Sequence, residues 1–234
     1  MTASENGVEV KLSSKDAGGN DEFAGLLLDG GAAQKIGVVM MHGRGMNQDG
    51  AVVGPLRRSL NQLGYATLSI ANPKPKTGDD FPNYVEDVKG DNYVFSEASA
   101  RIRAAISELK QRGKQSVIFV GFSMGARMET AFLAQGQAAD LPILGLIAIS
   151  NGVNGVGPLD SSNSLSKVAV PVVDICGDGD VDVAGSADKR KAAYEKGPGK
   201  SYKQILVTGG APHNFAGFEK QLSDHVHGMI KNFH

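Results

Sequence analysis

Short apolar runs recur along this chain, each followed by a turn signal and then by a segment whose apolar residues fall three and four apart. That alternation constrains the fold more than any other feature, because strands separated by crossover helices build a parallel sheet. The runs 36–41, 66–70, 117–120, 143–149, 170–175 and 204–207 are rich in Val, Ile, Leu and Met, as strands covered by helices on both faces require. Residues 23–28 read as an antiparallel edge strand. Ile102, Ala105, Ile106 and Leu109 stripe a helix that stops at Gly113, and Phe215, Phe218, Leu222, Val226 and Met229 stripe the last helix. A further helix is predicted from near Gly50 to Leu63, closed by Gly64, with Arg57 and Arg58 on a solvated face. The stretches 72–92, with three prolines, and 151–167, rich in Gly, Ser and Asn, are predicted as loops flanking a binding crevice.

At 234 residues, against a prior of about 150 per domain, the chain reads as one large domain spanning 1–234. Residues 1–20 form a polar N-terminal segment. Lys plus Arg number 24 and Asp plus Glu 25, giving a net charge of −1, so no basic excess points to nucleic acid. No stretch approaches the roughly 18 apolar residues of a membrane span. The single cysteine, Cys176, excludes a disulfide framework and a multi-cysteine metal site, and is expected to pack as a small buried hydrophobe. No apolar run follows a basic start, so no secretory signal is read.

Chemistry enters at Gly121-Phe122-Ser123-Met124-Gly125, a Gly-x-Ser-x-Gly pattern. In a chain with 31 glycines the pattern arises easily by chance, so its context decides. A strand (117–120) precedes it and a helix (126–134) follows, the arrangement that lifts a serine hydroxyl above a sheet. A hydroxyl becomes nucleophilic when a base takes its proton, which requires a histidine held by an acid. His213 follows the run 204–207 on a loop and is the expected base. Asp178, Asp180 and Asp182 lie in one loop beyond 170–175; Asp180 is the expected acid, with Asp178 second and expected to shape its own turn. An oxyanion hole is expected from the backbone N–H of Met124, at a helix N-terminus, and from that of Arg44 or next Gly45 after the run 36–41. His42 is expected to position that loop.

Taken in order, His42-Gly43-Arg44-Gly45, Gly121 to Gly125, Gly177 to Asp180 and His213 make the chain resemble the α/β-hydrolase superfamily from Phe23 onward. More narrowly, 54–70, 171–180 and 213–219 look like the bacterial branch designated DUF3530. The resemblance implies the α/β-hydrolase fold, a mostly parallel central sheet with helices on both faces, here without a sizeable cap domain. It brings no known substrate. Many members of that branch begin with export signals and this sequence does not, so a cytoplasmic location is expected as written. A periplasmic or secreted one follows if the chain starts at a mature N-terminus.

Competing motifs fail. Gly199-Lys200-Ser201 lacks the earlier glycine of a phosphate loop, and Gln48 occupies the third glycine position of a dinucleotide fingerprint begun at Gly43. The run Asp178-Asp180-Asp182 lacks the glycine and glutamate of a calcium loop. His225 and His227 diverge on a helix. The expected activity is therefore cleavage of a small or medium carboxylic ester through an acyl-enzyme, with no cofactor and no metal. A peptidase, thioesterase or acyltransferase could use the same residues, and a non-catalytic binding protein could keep the fold. The expected partner is a small-molecule ester; Arg44, Lys74 and Lys76 read first as solvated surface charge and, as the alternative, as holders of an acidic substrate. Turnover should fall at low pH as the histidine base takes up a proton.

Overall fold

The structure, a computed structural model, describes residues 7–136 and 142–233. Residues 1–6 of the polar N-terminal segment, and His234 at the end of the single-domain span, lie outside the described residues. Eight strands, β1 (Val8–Ser13), β2 (Glu22–Leu28), β3 (Ile36–Met41), β4 (Ala66–Ile70), β5 (Ser116–Phe122), β6 (Ile143–Ile149), β7 (Val172–Gly177) and β8 (Tyr202–Val207), form one sheet in the order β1-β2-β4-β3-β5-β6-β7-β8. β1 and β2 are antiparallel to their neighbours and β3 to β8 run parallel. The helices are α1 (Val53–Gln62), α2 (Phe81–Lys89), α3 (Tyr93–Gln111), α4 (Met124–Ala134), α5 (Ser161–Leu165), α6 (Val181–Gly185), α7 (Ala187–Glu195) and α8 (Glu219–Ile230). No helix among the described residues is long and apolar enough to cross a membrane.

Two cores follow from the two-residue period of the central strands. On β3, Val39 and Met41 face one core and Val38 and Met40 the other; on β5, Val117 and Phe119 oppose Ile118 and Val120. The first core is sealed by α3, α4 and α5, the second by α1 and α8. Burial on both sides is why these strands carry no polar alternation.

Several expectations change. The segment before residue 20 contributes edge strand β1, paired along its length with β2. The stretch 72–92 contains α2, whose Pro82 sits in the first turn, where a missing N–H costs nothing. The stretch 151–167 contains a 3-10 turn, Gly157–Leu159, and α5, capped by the Asp160 carboxylate accepting from Ser162 N–H at 3.0 Å. Phe215 and Phe218 lie in the turn before α8 rather than in it, and Phe215 takes a left-handed φ of 55°. Arg57 is no solvated side chain: it is fully buried under the sheet, paired with Asp49 at 3.0 Å, while Arg58 meets the same carboxylate at 2.6 Å. Cys176 is buried on β7, as expected, and burial pushes its thiol up to about 11.

Glu129 on α4 is a buried acid beneath the serine turn, and neither carboxyl oxygen has a partner among the described residues. Burial alone raises its pKa well above the usual carboxylate range, so the folded protein holds it neutral. The unfolded chain ionises it near 4.5. The Glu129 contribution to stability is therefore greatest below that pH and declines as pH rises toward the folded pKa. Glu129→Gln removes the decline: its advantage should be absent at pH 4 and grow by about 1.4 kcal/mol per pH unit above 4.5 until the folded carboxyl ionises. Urea unfolding at pH 4, 5.5 and 7 checks this, and an equal difference at all three would contradict it.

Candidate active site

Every candidate residue lies just beyond the carboxyl end of a parallel strand, where open α/β sheets bind ligands. Arg44 follows β3, Ser123 follows β5, Asp180 follows β7 and His213 follows β8.

Ser123 sits between β5 and α4 with φ 52° and ψ −112°, a backbone conformation costly for a residue with a Cβ. The neighbouring turn is held by close packing. Gly125 donates its N–H to His42 O at 3.0 Å, and a Cβ there would overlap the Met41 carbonyl. At Gly121 a Cβ would overlap the Glu129 carboxyl. The two glycines are thus demanded by different neighbours, Gly125 by the loop after β3 and Gly121 by the packing of α4 on β5. Left-handed backbone recurs at Ser150 (φ 50°), whose hydroxyl donates to His213 O, and at Phe215, two residues after His213.

The structure brings Ser123, His213 and Asp180 together. His213 Nε2 lies 2.9 Å from Ser123 Oγ, and Nδ1 lies 2.6 Å from Asp180 Oδ2. Because a carboxylate only accepts, Nδ1 carries the proton and Nε2 is left to accept from the serine hydroxyl. The Phe122 ring packs against the imidazole, centroids 5.2 Å apart. Asp180 is mostly buried and His213 about half exposed. Such a line can draw the proton from the hydroxyl and stabilise the resulting imidazolium.

Around Ser123, the N–H groups of Met124 and Arg44 make no hydrogen bond among the described residues. Gly43 lies close by: a Cβ on it would stand 3.5 Å from Ser123 Cβ. Gly45, the second choice for an oxyanion donor, is otherwise engaged, its N–H donating to Asp79 Oδ2 at 3.1 Å. Asp79 also accepts from Tyr84 OH at 2.8 Å, and its carbonyl accepts from Arg44 Nη1 at 3.1 Å. His42 is buried, with Nδ1 2.8 Å from Gly43 O and Nε2 accepting from Asn72 N–H at 3.1 Å. Burial lowers its pKa, so a neutral ring braces the loop.

Of the three cations considered for an acidic ligand, Arg44 and Lys74 line a cavity of about 160 Å³ with Asp79 and Tyr84. Lys76 instead stands over the Tyr93 ring, 5.0 Å away. Arg127 went unnoticed in the sequence. Four residues after Ser123, it is buried and donates from Nη1 to the carbonyls of Asn154 and Leu159 at 2.8 and 2.6 Å, and from Nη2 to the Asn154 side chain. Burial without an acidic partner in contact pushes it down to about 10. It ties α4 to the 154–159 loop that follows β6. The carboxylate of Asp178, the second candidate acid, is favoured by Gly179 N–H in its own turn and also reaches the loop that carries His213. Asp182 is exposed, and its carboxylate meets no partner among the described residues.

A parallel sheet flanked by antiparallel edge strands, with a serine on a strained strand-to-helix turn, defines an α/β-hydrolase fold, and solved structures agree. Dienelactone hydrolase from Anabaena variabilis is 18% identical, with 96% of each chain covered and a TM-score of 0.69. The esterase Pf2001 from Pyrococcus furiosus is 17% identical over 97% of this chain and 90% of its own, with a TM-score of 0.71. Est1E from Butyrivibrio proteoclasticus is 14% identical over 96% and 98%, with a TM-score of 0.68. Within that fold the chain belongs to the family described as "Protein of unknown function (DUF3530)", which matches residues 13–92 and 82–232. No curated protein matches the sequence.

Proposed function

We propose that this protein is a serine hydrolase that cleaves carboxylic esters with small to medium acyl groups through an acyl-enzyme. The observation that carries the reading is the unbroken line from Ser123 Oγ to His213 at 2.9 Å and on to Asp180 at 2.6 Å. Ser123 Oγ attacks the ester carbonyl while its proton passes to His213 Nε2, and Asp180 steadies the imidazolium. The oxygen that gains negative charge lies against the unpaired N–H groups of Met124 and Arg44, the first at the N-terminus of α4. His213 then protonates the departing alcohol. Water, activated by the same imidazole, releases the acid and restores Ser123. None of these steps calls for a metal or cofactor.

The preference for shorter acyl groups rests on the 150–171 connection, which folds back through α5 rather than rising as a cap, and on its tether to Arg127. The titled activities of the dienelactone hydrolase and esterase structures are consistent with ester chemistry on this fold. Nitrophenyl esters of increasing chain length test the reading. We expect rates to peak at short to medium acyl groups and to fall beyond about ten carbons, where the 150–171 connection supplies no cap domain to bury the chain. A steady rise past that length would contradict the acyl preference, and no turnover of any ester would contradict the activity.

A further inference from the structure

Two carboxylates two residues apart follow β7, and only one of them meets the imidazole. The other, Asp178, lies across the 209–211 turn: Oδ2 accepts from Gly209 N–H at 3.0 Å, and Oδ1 from Gly210 and Ala211 N–H at 2.8 and 3.0 Å. Gly209 and Gly210 both take left-handed φ values, 105° and 86°, and the turn presents successive N–H groups to one anion. Those donors hold the Asp178 carboxyl below the usual carboxylate range, Gly209 foremost.

Two more bonds fasten the same turn. Gly179 N–H donates to Ala211 O at 3.0 Å, and Ser150 Oγ donates to His213 O at 3.0 Å from the tip of β6. The need for fastening follows from the topology. His213 leaves β8 and must reach back across β7 and β6 to Ser123 beyond β5. It does so from an exposed turn with two consecutive glycines, the residues that lose most freedom on ordering. Charge-assisted bonds to three backbone donors offset that loss more strongly than neutral ones would.

We propose that Asp178 is the positioning residue for His213: by holding the 209–211 turn, it places the imidazole between Ser123 and Asp180. This rests on the catalytic reading above. The two aspartates divide the work, Asp180 orienting the ring and Asp178 the backbone that bears it.

The test compares Asp178→Asn, Asp178→Glu and Asp182→Asn with wild type on a short nitrophenyl ester, counting active sites by the end point of organophosphonate labelling so that unfolded protein drops out. Asn keeps the shape but turns an amide N–H₂ toward a backbone donor; Glu keeps the charge on a longer arm. Asp182→Asn makes the same charge change in the same loop where no bond is lost. For both Asp178 variants we expect kcat per labelled site to fall about 10- to 100-fold, with KM changed by less than about threefold, because misplacement near 1 Å acts on the chemical step. Asp182→Asn should stay within about twofold of wild type, as surface charges away from the reacting atoms do. A stabilising role alone would lower the labelled fraction and leave kcat per site intact. That result, or equal kcat in Asp178→Asn and Asp182→Asn, overturns the proposal. If the wild type takes no label at Ser123, the catalytic reading fails first and the proposal with it.

Discussion

Ser123→Ala should lower ester turnover by about 10⁵-fold while the protein folds as before. The expectation comes from how little else the hydroxyl does. Its one side-chain contact is His213 Nε2, and that ring is half exposed. Removing the oxygen leaves no buried donor or acceptor without a partner, and alanine is held in the same left-handed backbone as serine, so stability should change by less than about 1 kcal/mol. What the proposed mechanism loses is the covalent route. Residual rate above water would come from the Met124 and Arg44 N–H groups, proposed above as the oxyanion donors. Steady-state kinetics and thermal unfolding on the same preparation separate the two quantities. Wild-type turnover in the alanine variant would remove Ser123 from the mechanism.

The second large effect is expected at Asp180→Asn, a loss of about 10³- to 10⁴-fold in kcat. Asn fits the space, but its amide donates where the carboxylate accepted. His213 Nδ1, 2.6 Å away, must then give up its proton and accept. The proton moves to Nε2, which faces Ser123 and can no longer take the serine proton. The loss should exceed that of Asp178→Asn, since one change reverses the imidazole tautomer and the other only loosens its support. Comparable losses would mean that the two aspartates do not act separately.

Much of this architecture was legible in the sequence for one physical reason. Strands buried on both faces are apolar nearly throughout, so β3, β5 and β6 stand out as runs, and β7 does so despite Asp174, a buried acid paired with Arg190 at 2.8 Å. β1 does not: it lies at the edge of the sheet, carries Glu9 and Lys11, and sits in a polar stretch. Pro82 concealed α2, although proline suits a first helical turn. The convergence of Ser123, Asp180 and His213 was legible because each follows a strand of one parallel sheet, which fixes them at one end.

The unread features depend on partners distant in sequence or on backbone groups that no residue code displays. Arg57 looked solvated because its acid, Asp49, lies outside the helix. Asp178 looked like a turn former because its three donors are main-chain N–H groups 31 to 33 residues further on. Gly45 was a reasonable oxyanion donor until Asp79, 34 residues away, claimed its N–H. Arg127 gave no signal at all: its acceptors are mainly carbonyls of a loop whose path the sequence does not specify.

The most direct measurement is peptide mapping of the protein after reaction with an organophosphonate that mimics the tetrahedral intermediate. The account predicts a single adduct on the peptide containing Ser123, formed in the folded protein and at least about 10³-fold more slowly in His213→Ala, where no base accepts the hydroxyl proton. An adduct on another side chain, or equal labelling rates with and without the imidazole, would contradict it.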